Sequence, residues 1–388
     1  MERSFRSIIF RSLTLAAVFV LGVQYARSCR GSQIRDLDRV WQEVENNYAG
    51  GPVDRDKMLR GALAGLIGSL ASPNDTFSAY FDPDMEKMFE SGNAGKISSW
   101  GLITDIRTDP PTIVGVRPNS PAAKAGVYPG DRLLAVNGRR LVGLTRQDVY
   151  RLGQGPNGAK FRLLIGREGA AKPLPVEFIL EPSSFDLVSW RPIPTPGGKL
   201  ALIQIASFTG DAAAKFDQAY AEALKEGVRG LIIDLRGDPG GETGVTAHIA
   251  GAWLGSRVCM IEVDAQGHVG LLTARGGASL AGLPTVVLVD GGSASASEVL
   301  AGALQDHGQA KLVGARTFGK GVGQAEYRLR DGSLIELVVF RWFTPKGRSI
   351  HGAGLEPDLT VALTVADRQA GRDPQLDAAV RLLAPAGR

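Results

Sequence analysis

Cysteine is almost missing from this chain of 388 residues: only Cys29 and Cys259 are present, far apart, which excludes a disulfide framework and a cysteine-based zinc cluster. Histidine is scarce as well. His248, His268, His307 and His351 are scattered and form no H-x-x-x-H pair, so no metal ligand set is visible and no cofactor is expected. No sign of charge dominates. The 44 Lys and Arg against 40 Asp and Glu leave a net +4, and no basic stripe alternates with aromatics, so nucleic acid is not an expected partner. Apolar runs long enough to concern a membrane are confined to the start. There Arg3, Arg6 and Arg11 precede Leu13 to Val23, and Ala26-x-Ser28 follows. Residues 1–30 therefore read as a signal peptide, or as an uncleaved inner-membrane anchor if Phe5 to Phe10 lengthen the run toward a ~20-residue span. Cys29 directly after that site raises lipid attachment, against which Arg27 speaks. In each case the body of the protein is expected to be exported, periplasmic or otherwise extracytoplasmic.

What is present is ordinary for a globular chain: 44% hydrophobic and 22% charged residues, at a length that predicts two or three domains. In residues 31–90, Leu37, Val40, Trp41 and Val44, then Met58, Leu59, Ala62, Leu63, Leu66 and Ile67, recur at helical spacing and stop at Ser72-Pro73. This predicts a helical region with Trp41 and Tyr48 in its core. Residues 91–182 change to short strand-like runs bounded by Gly, Pro and Asn-Gly, with helices over "SPAAKAG" and "TRQDVYRLGQG", which predicts a compact α+β module. From 183 to 388 apolar strands alternate with helices ("KLALIQI", "GLIIDL", "TVVLVD", "AKLVG"), predicting an α/β core with a mainly parallel sheet and a closing helix over "PQLDAAVRLL".

Val313 to Gln324, "VGARTFGKGVGQ", has the G-x-x-x-x-G-K spacing of a phosphate loop, but Gly321 stands where a magnesium-binding Ser or Thr is required. Lys320 therefore needs another role. In "VDGGSASASEVLAGALQD" a buried strand ends, a Gly-Gly turn follows, and small residues lead straight into a helix. That geometry presents one of Ser293, Ser295 or Ser297 beside a helix N-terminus, as a nucleophile or as a plain N-cap. "DLRGDPGGETG" is a second glycine turn after a strand, and its Gly240-Gly241 can aim a backbone N–H at an oxyanion. A lysine flanked by Phe318, Val322 and glycines, with no acid between Asp306 and Glu326, suits a general base. Gln324 can hydrogen-bond the amine without holding it charged.

These stretches, "GGSASASEVLAGALQDHGQAKLVGARTFGKGVGQ", "LIIDLRGDPGG" and "FTPKGRSIHGAGLEPDLTV", resemble in order the signature blocks of the carboxy-terminal processing, or tail-specific, proteases. "PNSPAAKAGVYPGDRLLAVNG" is similar to a PDZ domain, and "SPNDTFSAYFDP" to the family's N-terminal region. The resemblance implies an N-terminal helical region, a PDZ domain and a serine protease core. It implies Ser295 as nucleophile, Lys320 as base, Gln324 as its support, and an oxyanion hole from the N–H groups of Ala296 and of Gly240 or Gly241. It further implies capture of apolar C-terminal tails of proteins or peptides near Trp100, Gly101 and Leu102. An adaptor protein is a further possible partner, and the oligomeric state is left open. Three departures stand out: Asp238 occupies a position where the family more often has asparagine, Gly321-Val322-Gly323-Gln324 follows Lys320 where the family usually has a G-x-V-Q-like stretch, and Ser99-Trp100-Gly101-Leu102 replaces the usual Gly-apolar-Gly-apolar loop. The reading from another class is a non-catalytic PDZ scaffold on a degenerate protease fold. A third keeps the enzyme but has the PDZ domain gate it.

Overall fold

The computed structural model describes residues 34–72, 75–93, 100–181 and 185–384. The expected leader, Cys29 and Ser99 lie outside them. Among the described residues no helix is long and apolar enough to cross a membrane.

The chain divides into two compact units, Met1–Leu63 and Ala64–Arg388. The first holds helix α1 (34–47) and the start of α2 (Arg55–Gly68). The helical spacing is realised, but the expected core is not. Tyr48 is 61% exposed, with Leu37 at 57% and Val40 at 60%. Trp41 is half-buried and spends its indole N–H on Glu45 within its own helix. The apolar period that makes a helix does not by itself make a core. Residues 34–63 supply too little facing surface to enclose one.

The second unit begins with β1 (Ala79–Phe81) and α3 (Pro83–Asn93). A small α+β module follows: β2 (Leu102–Asp105), β3 (Thr112–Val116), α4 (Pro121–Lys124), β4 (Arg132–Val136), β5 (Arg139–Arg140), α5 (Arg146–Leu152), β6 (Lys160–Gly166) and β7 (Leu174–Ile179). Its sheet runs β2-β3-β4-β6-β7, with β5 on β4, so β2 is an edge strand. Strict alternation in "KFRLLIG" sends Phe161, Leu163 and Ile165 inward, onto Trp100, Ile113 and Leu133. Thr145 and Asp148 close a capping box that starts α5.

The remainder is β8 (Val188–Thr195), β9 (Gly198–Ile205), α6 (Ala212–Lys225), β10 (Leu231–Asp234), α7 (Thr243–Leu254), β11 (Val258–Asp264), β12 (Val269–Thr273), β13 (Thr285–Val289), α8 (Ala296–Asp306), β14 (Lys311–Gly314), β15 (Val322–Arg328), β16 (Leu334–Phe343), β17 (Leu359–Thr360), α9 (Val365–Gln369) and α10 (Pro374–Leu383). The central sheet has the order β17-β14-β13-β10-β9-β8, parallel except for β8. Phe216, Trp253 and Leu300 from α6, α7 and α8 cover one face, and Ala378 and Ala379 of α10 cover the other. Burial on both faces accounts for the unbroken apolar runs in β10 and β13. A second, antiparallel sheet, β1-β16-β11-β12 with β15 on β16, stands beside it. Half-exposed strands such as "VGQAEYR" carry too weak a pattern to be read from sequence. Because β10, β13 and β14 are parallel neighbours, the loops that leave their carboxyl ends lie side by side.

Candidate active site

The loop after β13 carries the three serines, and their surroundings differ. Ser293 is fully buried and donates its hydroxyl to Leu235 O at 2.7 Å. Ser297, also fully buried, donates to Asp238 O at 3.0 Å. Ser295 is half-buried and lines a cavity of about 1000 Å³. Two of the serines thus brace the turn, and the one between them faces open space. Ser295 sits at the N-cap of α8 with φ 54° and ψ −116°. A non-glycine residue held there costs roughly 1–3 kcal/mol, which the surrounding bonds must offset.

One of those bonds also reaches the Lys320 loop. Glu298, in the first turn of α8, is completely buried. Its Oε2 accepts the Ser295 N–H at 3.0 Å and the Lys320 N–H at 2.9 Å. Its Oε1 accepts the Thr317 hydroxyl at 2.5 Å and the Gly319 N–H at 2.7 Å. Burial pushes this carboxyl above the usual range, and the hydroxyl and N–H donors pull it back. The Lys320 amine donates to Gln324 Oε1 at 2.6 Å and lies 5.1 Å from the centre of the Phe77 ring. Gln324 cannot rotate freely, since its amide nitrogen donates to Phe77 O at 2.7 Å and Glu336 at 3.0 Å. Trp342 donates its indole N–H to Lys320 O at 3.0 Å. Gly321 is needed for close approach: a Cβ there would stand 2.7 Å from the His351 nitrogen.

The second glycine turn lies against the first. A Cβ on Gly240, whose φ is 98°, would stand 2.6 Å from Ala294 O and 2.9 Å from Ser295 Cβ. The Gly240 N–H donates to Asp238 Oδ1 at 2.8 Å. The bridge between Phe208 and Gly241 uses the Gly240 carbonyl and the Glu242 N–H, so it consumes neither polar group of Gly241 itself. The Ala296 N–H opens α8, where no helical carbonyl can reach it. The main-chain N–H groups of Ala296 and Gly241 are thus left out of the turn's own bonds.

The α+β module opens into the same cavity, through Leu102 and Ile103 of β2 and Val149 and Tyr150 of α5. The Arg117 N–H donates to Gly101 O at 2.8 Å, which makes Leu102–Val116 a non-hydrogen-bonded pair. The Leu102 N–H consequently points to the open edge. Trp100 also lines this cavity, but it is only 5% exposed and its ring packs edge-on to Phe161 in the module's core. Its carbonyl, like that of Gly101, is taken by a neighbouring strand or helix N–H. Arg107, just beyond β2, donates to Phe318 O at 3.0 Å and lies over that ring, so the module touches the Lys320 loop.

Phe77, Glu298, Thr317, Glu336 and Trp342 complete the site without having been singled out from sequence. Only Glu298 had a local signal, as the acid three residues after an N-cap serine.

Comparison with known proteins gives a consistent result. Residues 199–361 match the family model of peptidase family S41, and residues 112–167 match a PDZ domain. The chain is 30% identical over 341 residues to carboxy-terminal processing protease CtpB of Bacillus subtilis, covering 87% of this chain and 69% of that protein. It is likewise 30% identical over 346 residues to a carboxy-terminal-processing protease of Bartonella bacilliformis, covering 89% and 78%. Among solved structures, the photosystem II D1 C-terminal processing protease superposes with a TM-score of 0.72 at 28% identity, covering 89% of this chain and 91% of that one.

Proposed function

The chain belongs to peptidase family S41, with the carboxy-terminal processing proteases, and from that premise we propose that Ser295 and Lys320 are its catalytic dyad and that it cuts exported proteins near their C-termini. It is a serine-type peptidase with a PDZ domain, and its substrates are proteins or peptides. An apolar tail adds as a strand to the open edge of β2, with its carboxylate at the N–H groups near Gly101 and Leu102 and its side chains toward α5. Farther along the same chain, Ser295 Oγ attacks a peptide carbonyl while the neutral Lys320 amine takes the hydroxyl proton. To do so near neutrality, Lys320 must lie well below the ordinary lysine value of about 10.4, toward roughly 7–8. Gln324 Oε1 orients the amine without a charge that would hold it protonated. The N–H groups of Ala296 and Gly241 receive the oxyanion, and the α8 dipole assists. The C–N bond then breaks, the leaving amine takes the proton back from Lys320, and water hydrolyses the ester by the same route in reverse.

The observation that carries this reading is the single cavity of about 1000 Å³ that Ser295, Lys320 and Gln324 share with the edge of β2. The test is cleavage of an unfolded substrate with a free apolar C-terminus by wild type, Ser295→Ala and Lys320→Ala. Both variants should be inactive, and full activity in either overturns the dyad. Exported proteins from cells carrying Ser295→Ala should retain C-terminal tails in mass spectra, and unchanged tails would overturn the substrate class.

A further inference from the structure

The turn beside Ser295 contains a carboxyl group that the chemistry above leaves unused. Asp238 is 0% exposed. Its Oδ1 accepts the Gly240 N–H at 2.8 Å, while its Oδ2 is buried without a hydrogen-bond partner. Its main-chain carbonyl accepts the Ala294 N–H at 2.9 Å and the Ser297 hydroxyl at 3.0 Å. One residue therefore ties the Gly240-Gly241 turn to the nucleophile turn on both sides of Ser295. The family resemblance leads one to expect asparagine here, whose amide has the same shape and acceptor oxygen but never ionises.

The charged groups around Asp238 leave it in an unusual position. Arg236 on the same turn is engaged by Asp234 and Asp373. Asp290, from the loop after β13, is held by the N–H groups of Gly237 and Gly292. Glu298 on α8 has its own four donors. Among the described residues only Arg117, just past β3, faces Asp238 with opposite charge, and Tyr150 acts in turn on Arg117. Arg117 lies over the Phe185 ring at 4.3 Å, and its Nη1 is itself buried without a partner. The two side chains are thus near enough to feel one another and are not joined by a hydrogen bond.

We propose that Asp238 is a positioning residue that serves the reaction in its neutral, protonated form, holding the Gly240-Gly241 turn for the oxyanion, and that its ionisation turns the enzyme down. The inference rests on Ser295 being the nucleophile. An ionised carboxylate one hydrogen bond from that turn places a second negative charge beside the one the reaction creates, in a water-poor site where the two repel. Burial pushes the Asp238 carboxyl up to about 8, outweighing the Gly240 N–H and the Arg117 charge, which favour the ionised form.

The experiment compares kcat/KM of wild type and Asp238→Asn on a tail peptide from pH 6 to 9.5, which cancels the titration of Lys320 common to both. The wild-type to variant ratio should be constant below neutrality and fall about tenfold by one pH unit above the transition, as a single ionisation requires. Asp238→Ala, which removes the acceptor for Gly240, should lower kcat at every pH and leave KM unchanged, and Asp238→Asn should restore it. Stability gives an independent readout. Asp238 is protonated when folded and ionised when unfolded between the ordinary carboxyl range and about pH 8, so wild type must lose stability relative to Asp238→Asn as pH rises through that window. A ratio flat across the range, or an Asp238→Ala enzyme with normal kcat, overturns the inference while leaving the dyad intact. Activity in Ser295→Ala overturns both.

Discussion

Ser295 and Lys320 hang from one carboxylate: the two main-chain N–H groups donate to the same oxygen of Glu298, at 3.0 and 2.9 Å. The residues come from different loops, after β13 and after β14, and side-chain packing alone would not fix their separation. A buried acceptor shared by both backbones does so directly. The same group also holds Thr317 and Gly319, so the strained turn of Ser295 and the loop of Lys320 form one hydrogen-bonded body.

Glu298→Gln tests that link. The amide keeps the shape but turns a donor toward N–H groups that need an acceptor. Stability should drop by about 3 kcal/mol, the scale of lost hydrogen bonds to a buried charged group, and kcat by on the order of 10²-fold through misplacement. Urea melts and peptide cleavage check it, and a variant with wild-type midpoint and rate would refute the shared anchor.

Gly240→Ala should be far worse than its size suggests. The methyl would meet Ala294 O at 2.6 Å and the Ala296 nitrogen at 2.8 Å, at a φ of 98° that alanine resists. Displacing the turn would take away the oxyanion donor proposed there, so a loss of about 10²–10³ in kcat is expected. Steady-state kinetics decides, with circular dichroism to confirm that the variant folds.

At Gln324 the prediction concerns pH. Gln324→Glu places a carboxylate where the amide oxygen now accepts from Lys320 at 2.6 Å. A negative neighbour stabilises the ammonium, so if Lys320 is the base it loses its proton only at higher pH, and the rising limb of the pH–rate profile should move up by about 1–3 units for a close pair. An unshifted limb would mean that Lys320 is not the group being titrated.

Leu102→Asp addresses the tail. β2 is an edge strand whose Leu102 lines the shared cavity, so an added acid there should repel a tail carboxylate and an apolar side chain together. KM for a long substrate with a free apolar C-terminus should rise tenfold or more, while kcat/KM for a short peptide lacking that tail should stay as it is. Equal loss on both substrates would show that the module serves stability and not capture.

Cys259 provides a check on the fold away from chemistry. It is 1% exposed in the core under α7 and α8, and burial pushes its thiol up to about 12. Alkylation followed by peptide mass spectrometry should find Cys259 unmodified in the native protein and modified in denaturant. Rapid native labelling would contradict this packing.

Much of the molecule was legible in one dimension because its signals are local. Buried parallel strands read as apolar runs, helices as 3.6-residue periods, and glycine turns as punctuation, and these gave the mixed α/β class and the two loops that matter. The antiparallel sheet was less visible because β12 and β15 are half-exposed and weakly patterned. Trp41 and Tyr48, in and just after the first helix, misled, since periodicity fixes which face is apolar and says nothing of what covers it. Within "SASAS" the sequence left three equivalent hydroxyls. The resemblance singles out Ser295, and the folded chain gives the three different surroundings, because Leu235 and Asp238, distant in sequence, present carbonyls to Ser293 and Ser297 and none to Ser295. The same holds for Phe77 beside Lys320 and for the orphaned oxygen of Asp238. Sequence determines which groups exist and how each segment folds; desolvation and the choice of partner depend on distances between segments, and those are decided by tertiary structure alone.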